Sequence, residues 1–175
     1  NDGGVNTPPS TERLFQKKAA SFQLLNWNVH KRVHLGFFQS LIWQVTDTMN
    51  KFHLTANYFD PIIFVNSLLY GMDNTNNILL GTTYKFKITN SIVFYGQYML
   101  DDIAEKRLKA SLHNKQGFQF GFKYFDMFKV KNLHFQLEYN GVRPYSYAQK
   151  KEEQNYSHYN QALAHPLGAN FKEYL

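Results

Sequence analysis

The sequence predicts an all-β fold, an antiparallel transmembrane β-barrel of the outer-membrane type, of which this chain supplies about eight strands. Segments of roughly ten residues alternate apolar with wet side chains, the length a transmembrane strand needs. The connections between them are alternately short and long. The aromatic content is 17%, with 16 Phe and 12 Tyr, which suits lipid-facing bands and interfacial girdles.

Alternation places the strands at 20–29, 33–43, 53–59, 62–70, 77–88, 91–101, 116–126 and 131–140. The first two carry Trp27 and Trp43, which read as interface anchors. In 77–88, Ile78, Leu80, Tyr84, Phe86 and Ile88 face one way; Asn77, Gly81, Thr83, Lys85 and Lys87 face the other. In 91–101, Ile92, Phe94, Tyr98 and Leu100 form the apolar face, and Val93, Tyr95, Gln97, Met99 and Asp101 a mixed one. Phe118, Phe120, Phe122 and Tyr124 oppose Gly117, Gln119, Gly121 and Lys123 in the next segment. The last sets Leu133, Phe135, Leu137 and Tyr139 against Asn132, His134, Gln136, Glu138 and Asn140. A face of glycine and charge is no dry core.

Short connections fall at 30–32, 60–61, 89–90 and 127–130, and long ones at 45–52, 71–76, 102–115 and from Gly141 onward. Short turns on one side and long loops on the other is the outer-membrane pattern, periplasmic and extracellular respectively. The expected organisation is an N-terminal loop at 1–18, barrel strands over 19–140, and a long extracellular or mouth-plugging loop at 141–175. With no strand expected after 140, the eighth would end on the long-loop side, so the chain reads as part of a larger barrel.

The 175 residues are 43% apolar with a mean hydropathy of −0.47, and no apolar run is long enough for a spanning helix. Barrels hide hydrophobicity in alternation, so a low mean does not argue against one. The absence of cysteine removes thiolate nucleophiles and Cys-based metal sites. The net charge of +6 comes from scattered cations with no continuous basic stripe, which disfavours nucleic acid and leaves anionic lipopolysaccharide or an acidic polysaccharide as partners.

Four blocks carry a family resemblance: FDPIIFVNSLLYGMDNTNNILLG (59–81), FYGQYMLDDI (94–103), FQLEYNGVRPYSYA (135–148) and NYSHYNQALAHPLGANFKE (155–173). In that order they resemble the Wzi-like capsule assembly proteins, in the Bacteroidetes branch that includes the gliding-motility RemB-like proteins. The resemblance spans about residue 52 to the end; Ala162 stands where the pattern has proline. It implies a large outer-membrane barrel in a Gram-negative cell, occluded by helices, whose outer face binds capsular polysaccharide without catalysis. The RemB-like branch implies surface motility instead, with other envelope or motility proteins as partners. Neither role implies a cofactor.

The candidate ligand residues lie in the last loop. Tyr156, His158, Tyr159, Asn160, His165 and Asn170 interleave aromatic rings with amides and imidazoles, a composition that stacks on pyranose rings and satisfies hydroxyls. The competing reading is a loop held by its own Tyr and Asn contacts. His158 and His165 lack zinc-ligand spacing, and no metal is expected. Arg143, Tyr145 and Tyr147 leave the last strand together; Arg143 either clamps an acidic sugar carboxylate or pairs with Glu138 or Asp101. Asp101, Asp102 and Glu105 raise paired-carboxylate catalysis, but neighbouring strand residues point to opposite faces. Structural pairing at the barrel mouth is the preferred role, with sugar or cation binding second. The rival function is a porin or transport channel lined by Lys85, Gln119, Lys123 and Glu138.

Overall fold

The computed structural model describes residues 18–45, 62–64, 76–101, 115–149, 155–158 and 161–175. The described residues form an all-β structure dominated by one antiparallel sheet. Its strands are β1 (Lys18–His30), β2 (Val33–Gln44), β3 (Asn76–Lys87), β4 (Ile92–Asp101), β5 (Gln116–Tyr124), β6 (Phe135–Val142) and β9 (Phe171–Tyr174). A separate hairpin pairs β7 (Ser157–His158) with β8 (Gln161–Ala162). The large sheet is an ordered meander, β1-β2-β3-β4-β5-β6-β9, and is not closed into a barrel.

The first four strands are 13, 12, 12 and 10 residues long. Such lengths exceed the usual globular strand of about 5 to 6 residues. Connections follow the expected asymmetry. Lys31 and Arg32 turn β1 into β2, and residues 88–91 turn β3 into β4. In that second turn the Thr89 hydroxyl accepts the backbone N–H of Ile92 at 3.0 Å, a side-chain mimic of a backbone turn. The Arg32 guanidinium donates to the Ile88 carbonyl at 3.0 Å, joining the two turns. The C-terminal ends of β2, β4 and β6 and the starts of β3, β5 and β9 all lie at the opposite end.

Register fixes the faces. Phe94 pairs with Phe122, Tyr98 with Phe118, and Phe120 with Tyr139, so aromatic side chains line one face across β4, β5 and β6. Phe94, Phe120, Phe135, Leu137 and, on β9, Tyr174 are exposed there. The opposite face carries Tyr95, Gln97, Gln119, Lys123, Gln136, Glu138 and Asn140.

Six strand glycines each sit directly opposite a larger cross-strand partner: Gly36 opposite Thr83, Gly81 opposite Phe38, Gly96 opposite Tyr84, Gly117 opposite Met99, Gly121 opposite Tyr95 and Gly141 opposite Phe118. In each pair the partner folds over the glycine. A Cβ on Gly121 would stand 2.5 Å from both Cε atoms of Tyr95, and one on Gly81 would stand 2.5 Å from Phe38 Cε1. Gly81, Gly96, Gly121 and Gly141 therefore seat aromatic rings against the sheet, a packing known to stabilise strand glycines.

Two small cores sit on opposite faces. Leu41, Trp43 and Ile78 are buried together on the aromatic-band side of β2 and β3. Leu79, Met99, Val142 and Tyr147 are buried on the polar side, near the long-connection end, with Phe38, Tyr156, Ala162, Ala169 and Phe171 packed against them.

Several expectations need correction. Trp43 is 2% exposed inside the first core, so it is no interface anchor, whereas Trp27 is 56% exposed. The strand expected at 62–70 is a bend and turn over 62–64, where Phe64 is left-handed with φ 71°. The rest of that strand, and the one expected at 53–59, lie outside the described residues. β5 stops at Tyr124, and β6 begins at Phe135 rather than at 131. Between them a 3-10 turn and left-handed Asp126, Phe128, Lys129 and Asn132 interrupt the alternation. Asp126 accepts the Asn132 N–H at 2.9 Å and closes this loop. The segment after Gly141 is more than a loop, because Phe171–Tyr174 returns antiparallel to β6. β6 itself runs on to Val142, past the boundary expected at 140.

Candidate functional site

The residues that the sequence singled out divide into two groups. One comprises residues 145–149 and 155–158, which run over the polar side of the sheet at the long-connection end. Asp101, with 0% of its surface exposed, accepts the backbone N–H of Tyr147 at 2.9 Å and ties this segment to the end of β4. The Tyr147 hydroxyl donates to Met99 Sδ at 3.5 Å. Burial pushes the Tyr147 phenol above its ordinary value, and a backbone hydrogen bond from His165 acts in the opposite direction. It is protonated at neutral pH and available as that donor.

From Tyr147 the segment continues toward β1. Gln149 Nε2 donates to Asn77 Oδ1 at 3.0 Å on β3, and the Gln149 N–H donates to Asn155 Oδ1 at 2.6 Å. Lys18 Nζ, on β1, donates to the Asn155 carbonyl at 3.2 Å. Tyr156 returns a backbone N–H to the Tyr147 carbonyl at 2.9 Å, with the two rings 6.0 Å apart. The segment thus bridges β4, β3 and β1 as one strap.

Tyr147 and Tyr156 therefore hold the strap together; Tyr147, 6% exposed, presents no ring to a ligand. His165 is also a framework residue: its ring lies 4.3 Å from that of Phe171, and Nε2 stands 3.4 Å from Glu173 Oε2. At the surface are Arg143, Tyr145, His158 and Asn170. Tyr145 is 76% exposed and left-handed, with φ 64°. Asn170 is left-handed at φ 63°, as the turn into β9 requires. Asp102, Tyr159 and Asn160, with Glu105, lie outside the described residues.

Of the two partners expected for Arg143, Glu138 or Asp101, Glu138 is held by other groups. Glu138 points to the polar face, where the Tyr95 hydroxyl donates to Oε2, and Gln119 Nε2 and Asn140 Nδ2 donate to Oε1 at 2.8 and 2.9 Å. Arg143 lies an odd number of residues along and leaves the sheet, its N–H donating to the Gln116 carbonyl at 2.9 Å. Asn140 also donates to Glu173 Oε2 at 3.0 Å, and Gln136 Nε2 to the Tyr95 hydroxyl at 3.2 Å. Lys123 Nζ stands 5.0 Å from the Tyr95 ring centre.

Composition missed this network. In the sequence Tyr95 and Asn140 stand out only as members of a strand face, Gln119 as a candidate pore lining, and Glu173 falls in an expected loop. The signal was parity: these positions share one face once register is known. Every donor to Glu138 here is neutral, so the carboxylate is satisfied as a structural acceptor.

Among the described residues no group of three or more His, Asp or Glu side chains is arranged to hold a metal ion. No described helix is long and apolar enough to cross a membrane, which says nothing about crossing by strands. Compared with known proteins, the chain matches no family model, no curated protein and no solved structure.

Proposed function

We propose that this chain is part of an outer-membrane β-barrel whose long-connection end holds surface polysaccharide, in the manner that the resemblance to Wzi-like capsule assembly proteins implies. The observation that carries the reading is the two-faced sheet. Long strands expose Trp27, Phe94, Phe120, Phe135 and Leu137 on one face, while the other closes its polar groups in a hydrogen-bonded network. An exposed aromatic band is costly in water and at home in lipid. Closure by strands outside the described sheet would satisfy the backbone groups along β1, as a lipid environment demands.

The strap favours a binder over a channel. Among the described residues, 145–149 and 155–158 lie across the polar face, where an open pore would need water. In this reading loop residues contact successive sugar units weakly, and many repeats along one polymer give avidity. Surface motility is the other role carried by the same family branch, with envelope proteins as partners.

The test is a strain lacking the full gene. Cell-bound and shed polysaccharide are measured, and colony spreading is scored on the same plates. Shed polysaccharide with normal spreading supports the binding role. Retained polysaccharide with failed spreading assigns the protein to motility and removes the binding role.

A further inference from the structure

The short-turn end of the sheet collects cations and exposed apolar side chains on one rim. Backbone hydrogen bonds set its turns side by side: the Lys87 N–H donates to the Arg32 carbonyl and the Phe125 N–H to the Ser91 carbonyl, both at 2.8 Å. The turn between β5 and β6, residues 125–134, holds its shape without a buried side chain. The Met127 N–H donates to the Leu133 carbonyl at 2.8 Å, the Lys129 N–H to the Asp126 carbonyl at 2.9 Å and the Leu133 N–H to the Val130 carbonyl at 3.2 Å. Phe128 and Lys129 are left-handed, at φ 55° and 66°, an uncommon conformation for a side chain as bulky as phenylalanine. The backbone closes on itself and the side chains are left outside.

Those side chains alternate in kind. Phe128 is 73% exposed and Val130 53%, with exposed Lys129 and Lys131 interleaved. The Phe128 ring stands 6.3 Å from that of Tyr124, the last residue of β5, so the loop prolongs the aromatic band beyond the strand. The neighbouring turns add exposed Lys31 and Ile88. Asp126 is the only acid in these turns, and its carboxylate accepts the Asn132 N–H at 2.9 Å. At the other end of the sheet the Lys18 and Lys115 ammonium groups are engaged with backbone carbonyls, at 3.2 and 2.8 Å. Among the described residues the ammonium groups of Lys31, Lys129 and Lys131 make no such bond. Positive charge open to a ligand therefore gathers at the short-turn end.

We propose that this rim, with the 125–134 loop at its centre, docks on an anionic phospholipid leaflet, Phe128 entering the acyl-chain boundary and Lys129 and Lys131 meeting headgroup phosphates. This rests on the outer-membrane reading above and adds to it which lipid the chain selects and where. Interleaved aromatic and basic side chains match such a surface, because rings settle at the boundary while ammonium groups reach phosphate from the wet side. In an outer-membrane barrel the short turns face the periplasm, so charge at this end meets phospholipid rather than the lipopolysaccharide around the long loops.

The test places a fluorophore on Val130→Cys in the full chain, refolded into vesicles of phosphatidylcholine and phosphatidylglycerol in equal amounts, with one of the two lipids brominated at a time. The two quenching curves give the local enrichment of phosphatidylglycerol, expected to be about fivefold, the worth of one lysine at an anionic surface. Salt at about 1 M, or Lys129→Gln together with Lys131→Gln, is expected to bring that ratio close to one. Phe128→Ala is expected to weaken quenching by both lipids. The same label on Phe120→Cys, in β5, should be quenched equally by both lipids and shows that each variant has inserted. Equal quenching by both lipids at position 130 would overturn the anionic selection and leave the bilayer reading in place. Quenching at 120 with none at 130 would overturn the docking and give the rim to a protein partner. No quenching at either position would overturn the bilayer reading as well.

Discussion

Gly121→Ala offers a sharp test of how the polar face is built. The new methyl carbon would enter the Tyr95 ring, 2.5 Å from each Cε, so the ring must leave the sheet. With it goes the Tyr95 hydroxyl that donates to Glu138 and accepts from Gln136. Overpacking a close contact costs about 1 to 3 kcal/mol. Losing one hydrogen bond to a charged group costs about 1.5 to 3 kcal/mol. Glu138 keeps Gln119 and Asn140, so the two losses fall at the lower ends of their ranges and sum to about 2.5 kcal/mol. Tyr95→Phe removes only the hydroxyl and should cost about 1.5 kcal/mol. In the double variant the hydroxyl is lost once, so the two single costs should exceed the double by about 1.5 kcal/mol. The assay is urea unfolding of the refolded full chain in lipid vesicles, followed by tryptophan fluorescence. A Gly121→Ala cost below about 0.5 kcal/mol, or strict additivity with Tyr95→Phe, would refute the ring-on-glycine account.

Asp101→Ala should release the Tyr147 N–H and cost about 1 to 3 kcal/mol, with faster proteolysis at residues 145–149 as the readout. Tyr147→Ala should cost about 3 to 5 kcal/mol by opening a cavity among Leu79, Met99 and Val142, whereas Tyr147→Phe, losing only the contact to Met99, should cost far less; both are read by the unfolding midpoint. Leu137→Arg, on the aromatic-band face, should cost about 2 to 4 kcal/mol in a bilayer if the site lies near its midplane. On a water-facing sheet the same change would stay within about 0.5 kcal/mol, so vesicle unfolding separates the two environments.

Period two made β3, β4 and β5 legible because each keeps its alternation for nine residues or more without interruption. Where the backbone turns left-handed, parity is lost, so the strands expected to end at 126 and to resume at 131 instead end at Tyr124 and resume at Phe135. β9 escaped because four residues carry too little alternation, and what makes Phe171–Tyr174 a strand is the edge of β6 that it meets. Trp43 shows the same limit: its sequence position suits an anchor, but packing with Leu41 and Ile78 buries it. At the candidate site, sequence named Arg143, Tyr145, Tyr147 and Asp101 as neighbours in chemistry. It had no means to separate the ring that builds the turn from the ring that faces out. That separation depends on two left-handed residues and a carboxylate 46 positions before the amide it holds.

The central claim is that one face of the sheet meets lipid and the other does not. Because the chain has no cysteine, single cysteines can be placed from position 118 to 123 along β5 and labelled with an environment-sensitive fluorophore in vesicles containing brominated lipid. The account predicts strong lipid quenching at 118, 120 and 122 and weak quenching at 119, 121 and 123. Uniformly weak quenching at all six positions would contradict it.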